Sequence, residues 1–186
     1  MKKLFLFFLL TTNLIFAQTE QINPQQLEPK TNLEKFSSKT GTMYIREFSN
    51  GVEVDGNLGT TMKVQSLVIY EPGKEAQKEK GIILQVSGYK KEAQVFLDLD
   101  ELGSWLKAID YILEQEPVLK TRQKYFEVNY STRGDMKFGV YKDGNELKVY
   151  VKAVKYPYPD YYADFEELVK MKKVVGGFYK ELSELK

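Results

Sequence analysis

Short runs in which apolar and polar residues alternate fill most of residues 41–153, and this period of two is typical of β-strands that bury one face. Two stretches instead carry apolar residues at helical spacing, one at residues 102–113 and one at residues 165–182. The strands come in consecutive groups, and each group is followed by one helix. Because parallel strands need a crossover between successive strands, this order excludes a parallel sheet and predicts an α+β fold with an antiparallel sheet.

Turn-forming residues separate seven predicted strands, at residues 43–48, 61–70, 81–88, 93–99, 126–130, 136–140 and 147–153. Residues 50–59, rich in glycine and asparagine, are predicted to be a loop. We expect Asp98 or Asp100 to cap the first long helix and Pro117 to end it. The last helix is predicted to begin at Asp160 or Asp164.

The order of three or four strands followed by a helix occurs twice. We therefore expect one α+β domain over residues 41–186, with an antiparallel β-sheet of about seven strands, two helices packed on it, and two β-β-β-(β)-α halves. This topology resembles the four-strand-plus-helix repeat of the Whirly and PC4-like single-strand DNA-binding proteins. The resemblance implies the fold alone, so no binding residue of those families is carried over.

The N-terminus has the layout of a secretory signal peptide. Lys2 and Lys3 precede an apolar run of about 13 residues, which is shorter than the roughly 20 residues of a membrane-spanning helix. Ala17 stands where signal peptidase would cut, and its surroundings resemble the signal ends of exported proteins of Gram-negative bacteria. We expect residues 1–17 to be removed on export to the periplasm or the extracellular space, leaving no membrane span. Residues 18–40 are predicted to be a flexible lead-in with a short helical turn at Leu33 and Phe36.

The composition removes several kinds of chemistry, because the sequence has no cysteine and no histidine. Thiol nucleophiles, histidine bases, Ser-His-Asp triads and zinc sites of the usual Cys/His kind are therefore excluded. Loss of Lys2 and Lys3 with the signal peptide leaves 25 basic residues against 26 acidic ones, so no strong field draws the chain toward nucleic acid. We expect no cofactor, no metal site and no nucleic-acid partner.

Tyrosines and lysines share one face of the last three predicted strands. If Phe126, Phe138 and Val149 point into the core, eight residues point outward. These are Tyr125, Glu127, Asn129, Lys137, Tyr141, Lys148, Tyr150 and Lys152. A row of tyrosines beside lysines would stack a sugar, a base or an aromatic side chain, although tyrosine is also a good strand former. Tyr125, Tyr141, Tyr150 and Lys152, with Tyr156 and Tyr158 of the proline-rich corner that follows, form the candidate ligand-binding site.

Carboxylates are densest at Asp98, Asp100 and Glu101. A carboxylate pair can hydrolyse a glycosidic bond, but carboxylates at a strand-to-helix junction also serve as helix caps. The Arg133-Gly134-Asp135 tripeptide matches the integrin-binding sequence and is equally ordinary turn material. No catalytic residue is assigned. The sequence predicts an exported, non-catalytic domain that binds a protein or small ligand, with a carboxylate-based glycan hydrolase and a structural or assembly protein as the alternatives.

Overall fold

The computed structural model describes residues 28–154 and 159–185. The predicted signal peptide, the lead-in up to residue 27, and Tyr156 and Tyr158 of the candidate site lie outside the described residues. The described chain forms nine strands and three α-helices. In chain order these are α1 Asn32–Ser37, β1 Ile45–Phe48, β2 Val52–Asp55, β3 Thr61–Tyr70, β4 Glu79–Gly88, β5 Lys91–Asp98, α2 Leu99–Thr121, β6 Glu127–Ser131, β7 Met136–Asp143, β8 Glu146–Ala153, β9 Asp160–Asp164 and α3 Glu167–Glu184.

All strand pairs are antiparallel, and the strands form two sheets. The first sheet has the order β1-β3-β4-β5, with β2 also paired to β3, and the second has the order β6-β7-β8-β9. α2 follows the first sheet along the chain and α3 follows the second. The predicted α+β class with antiparallel strands is confirmed, but two sheets with nine strands replace the single sheet of about seven.

The two additional strands are short, which explains why the sequence pattern missed them. β2 occupies the predicted loop, where Val54 lies opposite Met62 of β3 and both are buried. β9 occupies the predicted start of the last helix, where Tyr161 and Ala163 point into the core and Tyr162 points outward. The prediction that the helix begins at Asp160 or Asp164 was therefore wrong. Asp160 and Asp164 are instead the first and last residues of a five-residue strand, which is too short for a clear period of two.

α2 continues through Pro117 for one more turn, so the prediction that Pro117 ends the helix was wrong. Leu119, in that last turn, is buried in the core. The Lys142 ammonium donates hydrogen bonds to the carbonyl oxygens of Lys120, at 3.1 Å, and of Arg122. Core packing and a cation on the free carbonyls at the helix C-terminus offset the cost of a proline inside a helix, about 3 kcal/mol.

α1 covers the outer face of the first sheet. Its Leu33 and Phe36 pack against Leu67, Ile69 and Ile83 in a cluster separate from the main core. The predicted short helical turn at Leu33 and Phe36 is thus present, and residues 32–37 of the lead-in are docked on the sheet.

The main core lies between the inner faces of the two sheets and includes the apolar faces of α2 and α3. Trp105 of α2 is fully buried and meets Phe138 of β7 edge to face, with ring centroids 5.8 Å apart. Among the described helices, none is long and apolar enough to cross a lipid bilayer. With one face turned to this core, the second sheet presents Tyr141, Tyr150 and Tyr162 on the other.

Candidate functional site

The outer face of the second sheet forms an open groove of about 760 Å³, which we call the tyrosine groove. All eight residues that the alternation predicts to point outward line it, so the structure brings together Tyr125, Tyr141, Tyr150 and Lys152 of the candidate site. Five further residues complete the lining, namely Asn57, Leu58, Asp143, Tyr162 and Ala163.

Strand register places the outward side chains in three rows across β6, β7, β8 and β9. The rows are Glu127, Tyr141, Lys148 and Asp164; then Asn129, Gly139, Tyr150 and Tyr162; then Ser131, Lys137, Lys152 and Asp160. Aromatic side chains thus occupy neighbouring positions in the first two rows, and charged or amide side chains surround them.

Tyr150 forms the floor of the groove. It lies opposite Gly139 of β7 in the register, and its hydroxyl reaches across that strand to donate a hydrogen bond to Asn129 Oδ1 of β6. A Cβ atom at Gly139 would stand 2.9 Å from Cε1 of the Tyr150 ring, so the missing side chain makes room for that ring. Tyr150 is only 6% exposed, and burial raises its pKa above the ordinary value of 10. Tyr150 therefore stays a neutral, fixed part of the sheet.

Tyr141 and Tyr162 form the aromatic walls. Their ring centroids are 6.4 Å apart with an interplanar angle of 83°, and Tyr141 lies 6.1 Å from Tyr150 at 53°. Both wall residues are half-buried, and burial is the main cause that raises the pKa of each. The Tyr162 hydroxyl donates to Asp160 at 3.1 Å, which fixes the orientation of its ring.

Lysines beside the aromatic walls are paired with carboxylates of β9. Lys152 Nζ lies 3.1 Å from Asp160 Oδ2, and Lys148 Nζ lies 2.8 Å from Asp164 Oδ1. Burial opposes the charge on Lys152, but its hydrogen bond to Asp160 prevails and raises its pKa. The hydrogen bond from Lys148 lowers the pKa of Asp164. Lys148, Lys152 and Asp164 therefore stay ionised at neutral pH.

Tyr125 stands at the rim, 66% exposed, and its hydroxyl donates to Glu127. This hydrogen bond raises the pKa of Tyr125 to about 12. The same hydrogen bond, together with one from Asn129 Nδ2, lowers the pKa of Glu127. Glu127 is thus held as a carboxylate, which suits it to accept hydrogen bonds and not to donate a proton.

The opposite rim comes from the first sheet, which the sequence pattern did not connect with this face. A 3-10 turn at Asn57–Gly59 places Asn57 Nδ2 3.0 Å from Asp164 Oδ1. Leu58 has a positive φ of 58° and is 76% exposed above the groove. A leucine in the left-handed region is uncommon and costs backbone energy, and here it presents an apolar side chain to the ligand space.

Tyr162 was missed as well, because residues 160–164 were read as helix. A usable signal was present in the sequence: Tyr161 and Tyr162 come two and three residues after Pro159, and β-forming aromatics shortly after a proline favour a strand.

The carboxylate cluster at Asp98 has a structural role. Asp98 is buried, and its carboxylate accepts hydrogen bonds from the backbone N–H groups of Asn32, at 2.7 Å, and Leu33, at 3.1 Å. Asp98 occupies the N-cap position of α2, as predicted, but its side chain accepts no hydrogen bond from the first turn of that helix. It serves α1 instead, whose N-cap is Thr31, because the register turns Asp98 to the outer face of the sheet, where α1 docks.

Arg133 neutralises the rest of this cluster. Its guanidinium pairs with Asp98 at 3.4 Å, with Glu101 at 3.3 Å and with Asp100. Asp135 in turn pairs with Lys30 at 2.7 Å. The Arg-Gly-Asp tripeptide therefore lies in the turn between β6 and β7 with both charged side chains bound to the chain itself. This arrangement compensates the charges of all three acids within the fold.

Comparisons with models of protein families and with curated protein sequences found no match.

Proposed function

We propose that the protein is an exported, non-catalytic binding domain that takes a small ligand in the tyrosine groove, in the periplasm or at the cell surface. The observation that carries the proposal is that side chains from separate parts of the chain meet in one groove. Four strands and a turn of the other sheet direct tyrosines, amides and charged groups into it. Its volume of about 760 Å³ lies within the range of roughly 300–1,000 Å³ found for small-molecule sites. Export rests on the predicted signal peptide.

Two acids at the groove support binding without glycosidase chemistry. A glycosidase needs one carboxylic acid whose pKa is raised so that it can protonate the leaving group. Glu127 has a lowered pKa because Tyr125 and Asn129 donate to it. Asp164, which borders the groove, has a lowered pKa because Lys148 and Asn57 donate to it. Ionised acids of this kind accept hydrogen bonds from a ligand but do not protonate it.

An NMR titration of the ¹⁵N-labelled chain against a library of small polar and aromatic compounds tests the proposal. We expect binding compounds to shift amide signals of β7, β8 and β9 together with those of Asn57 and Leu58. Tyr125→Ser should reduce the affinity of such a compound, because it removes a rim ring that is exposed in the free protein.

Tyr111→Ser is the matched control, because Tyr111 is 59% exposed on α2, outside the groove. Both variants should keep the melting temperature of the parent. Binding compounds whose shifts cluster elsewhere, or equal losses of affinity in both variants, would refute the assignment of the groove as the site.

A further inference from the structure

We infer that the ligand of the tyrosine groove is an uncharged carbohydrate, with a sugar ring packed in the corner between Tyr141 and Tyr162. The inference rests on the proposed function and adds the class of ligand to it. It is carried by the angles between the rings, by the pairing of the charges, and by the position of the Lys152 ammonium.

The ring geometry favours a thick ligand over a flat one. A nucleobase or an indole is held best between two parallel aromatic faces, or offset on one of them. Tyr141 and Tyr162 stand at 83° to each other, and Tyr141 and Tyr150 stand at 53°. The rings thus form a corner instead of a slot. A sugar ring in its chair form can place C–H groups on one face and its edge against the other.

The position beside the tyrosine rings that a cationic ligand would take is already occupied by the Lys152 ammonium. The Lys152 ammonium lies 5.5 Å from the Tyr150 ring centroid and 5.9 Å from that of Tyr162, within the range of a cation–π contact. An aromatic site for a quaternary ammonium needs this space to be free of other positive charge. Lys152 is held there by Asp160 at 3.1 Å, so the protein supplies the cation itself.

An anionic ligand gains little, because the three lysines of the groove face at least as many carboxylates. Lys148 and Lys152 are paired with Asp164 and Asp160, and Glu127 holds its negative charge on the opposite strand. In the described part of the groove no arginine is present to bind a phosphate or carboxylate in bidentate fashion. The surface therefore has alternating charges with no field of one sign.

Hydroxyl groups fit such a surface well. Each sugar hydroxyl donates and accepts, so it can bond to an amide such as Asn57, to a carboxylate such as Asp143 and to an ammonium such as Lys137 without carrying charge itself. Exposed Leu58 and Tyr125, which stand on opposite rims, add apolar surface outside the Tyr141–Tyr162 corner. A groove of about 760 Å³ has room for several linked sugars, so an oligosaccharide is the expected form.

A glycan array probed with the full chain, followed by calorimetry on soluble neutral oligosaccharides, tests the inference. We expect neutral glycans among the bound set, with an affinity that changes less than twofold between 50 mM and 500 mM sodium chloride, because no ion pair forms. Tyr162→Leu should weaken binding at least tenfold, whereas Tyr162→Phe, which keeps the ring, should stay within threefold of the parent. Tyr111→Leu is the matched control and should have no effect. If Tyr162→Leu proves unstable, Tyr141→Leu replaces it with the same expected loss.

Three results would overturn the inference. One is binding confined to acidic glycans with an affinity that falls steeply with salt. Another is the absence of any bound glycan. The third is that nucleosides or tyrosine-containing peptides shift the groove amides while neutral oligosaccharides do not. This last result would leave the proposed function standing, since the groove would still be the binding site, and only the ligand class would be wrong.

Discussion

Replacing Gly139 with alanine tests how the floor of the tyrosine groove is built. A Cβ atom at this position would stand 2.8 Å from Asn129 Oδ1 and 2.9 Å from Tyr150 Cε1, and closer still to the backbone oxygen of Val128. Side chains can turn away, but a backbone oxygen moves only if β6 separates from β7. Overpacking of this kind costs about 1–3 kcal/mol, which exceeds what alanine gains over glycine in a strand.

Gly177→Ala is the control with the opposite expected sign. Gly177 lies inside α3, and a Cβ atom there would meet nothing within 4 Å. Alanine is favoured over glycine inside a helix by about 0.5–1 kcal/mol, so Gly177→Ala should stabilise the protein. Urea unfolding and calorimetry on both variants give the comparison. For a chain of this length roughly 2–4 °C corresponds to 1 kcal/mol, so Gly139→Ala, with a net cost of up to about 2.5 kcal/mol once the gain from alanine is subtracted, should melt up to about 10 °C lower than the parent.

A double-mutant cycle shows whether Tyr150 is part of the effect. In a Tyr150→Val background one of the three close contacts is gone, so the cost of Gly139→Ala should fall by a measurable fraction. Equal costs in both backgrounds would mean that the ring does not lie over Gly139. A Gly139→Ala variant as stable as Gly177→Ala would refute the close packing of β6, β7 and Tyr150 as a whole.

Two further predictions concern the supports of the fold. Asp98→Ala leaves the N–H groups of Asn32 and Leu33 without their acceptor, so it should lower the free energy of unfolding in urea by about 1–3 kcal/mol and speed hydrogen exchange at Leu33. Asp100→Ala, at an exposed side chain, is the control. Equal effects of the two substitutions would contradict the role of Asp98 as an acceptor for α1. Burial raises the pKa of Tyr150 and Tyr161 above 10, so the native state keeps phenolic protons that the unfolded chain releases. Stability should therefore hold up to pH 10 and fall as the pH rises toward 12, and a urea midpoint that does not change between pH 9 and pH 11.5 would contradict this.

The sequence was sufficient to predict the face that the groove uses. Once Phe126, Phe138 and Val149 are assigned to the core, the period of two fixes which neighbours point outward, and all eight predicted residues line the groove. A one-residue slip in any of the three strands would have turned its tyrosines inward, so core burial on the other face determines the groove side as well.

The other half of the site depends on contacts between distant parts of the chain. Asn57 reaches Asp164 across more than a hundred residues, and no local pattern encodes that approach. Tyr162 joins Tyr141 only because β9 pairs with β8, and β9 is too short to show its period. Pro117 was misread for a similar reason, since the Lys142 ammonium that stabilises the last turn of α2 comes from β7. Predictions from neighbouring residues in the sequence fail at these positions, because contacts between distant parts of the chain determine the structure there.

The four described tyrosines of the groove have unequal roles, although the sequence presents them as alike. Tyr150 is buried and bonded to Asn129, so replacing it removes the floor, and a loss of binding would then report a loss of structure. Tyr125 projects from the rim, and its removal leaves the sheet intact. Tyr141 and Tyr162 lie between these extremes, because both are half-buried and both line the groove. The effect of a substitution should therefore depend on its depth in the groove. Substitutions at the rim should change the affinity for a ligand, substitutions at the floor should change the stability of the protein, and only substitutions of the wall residues should change both.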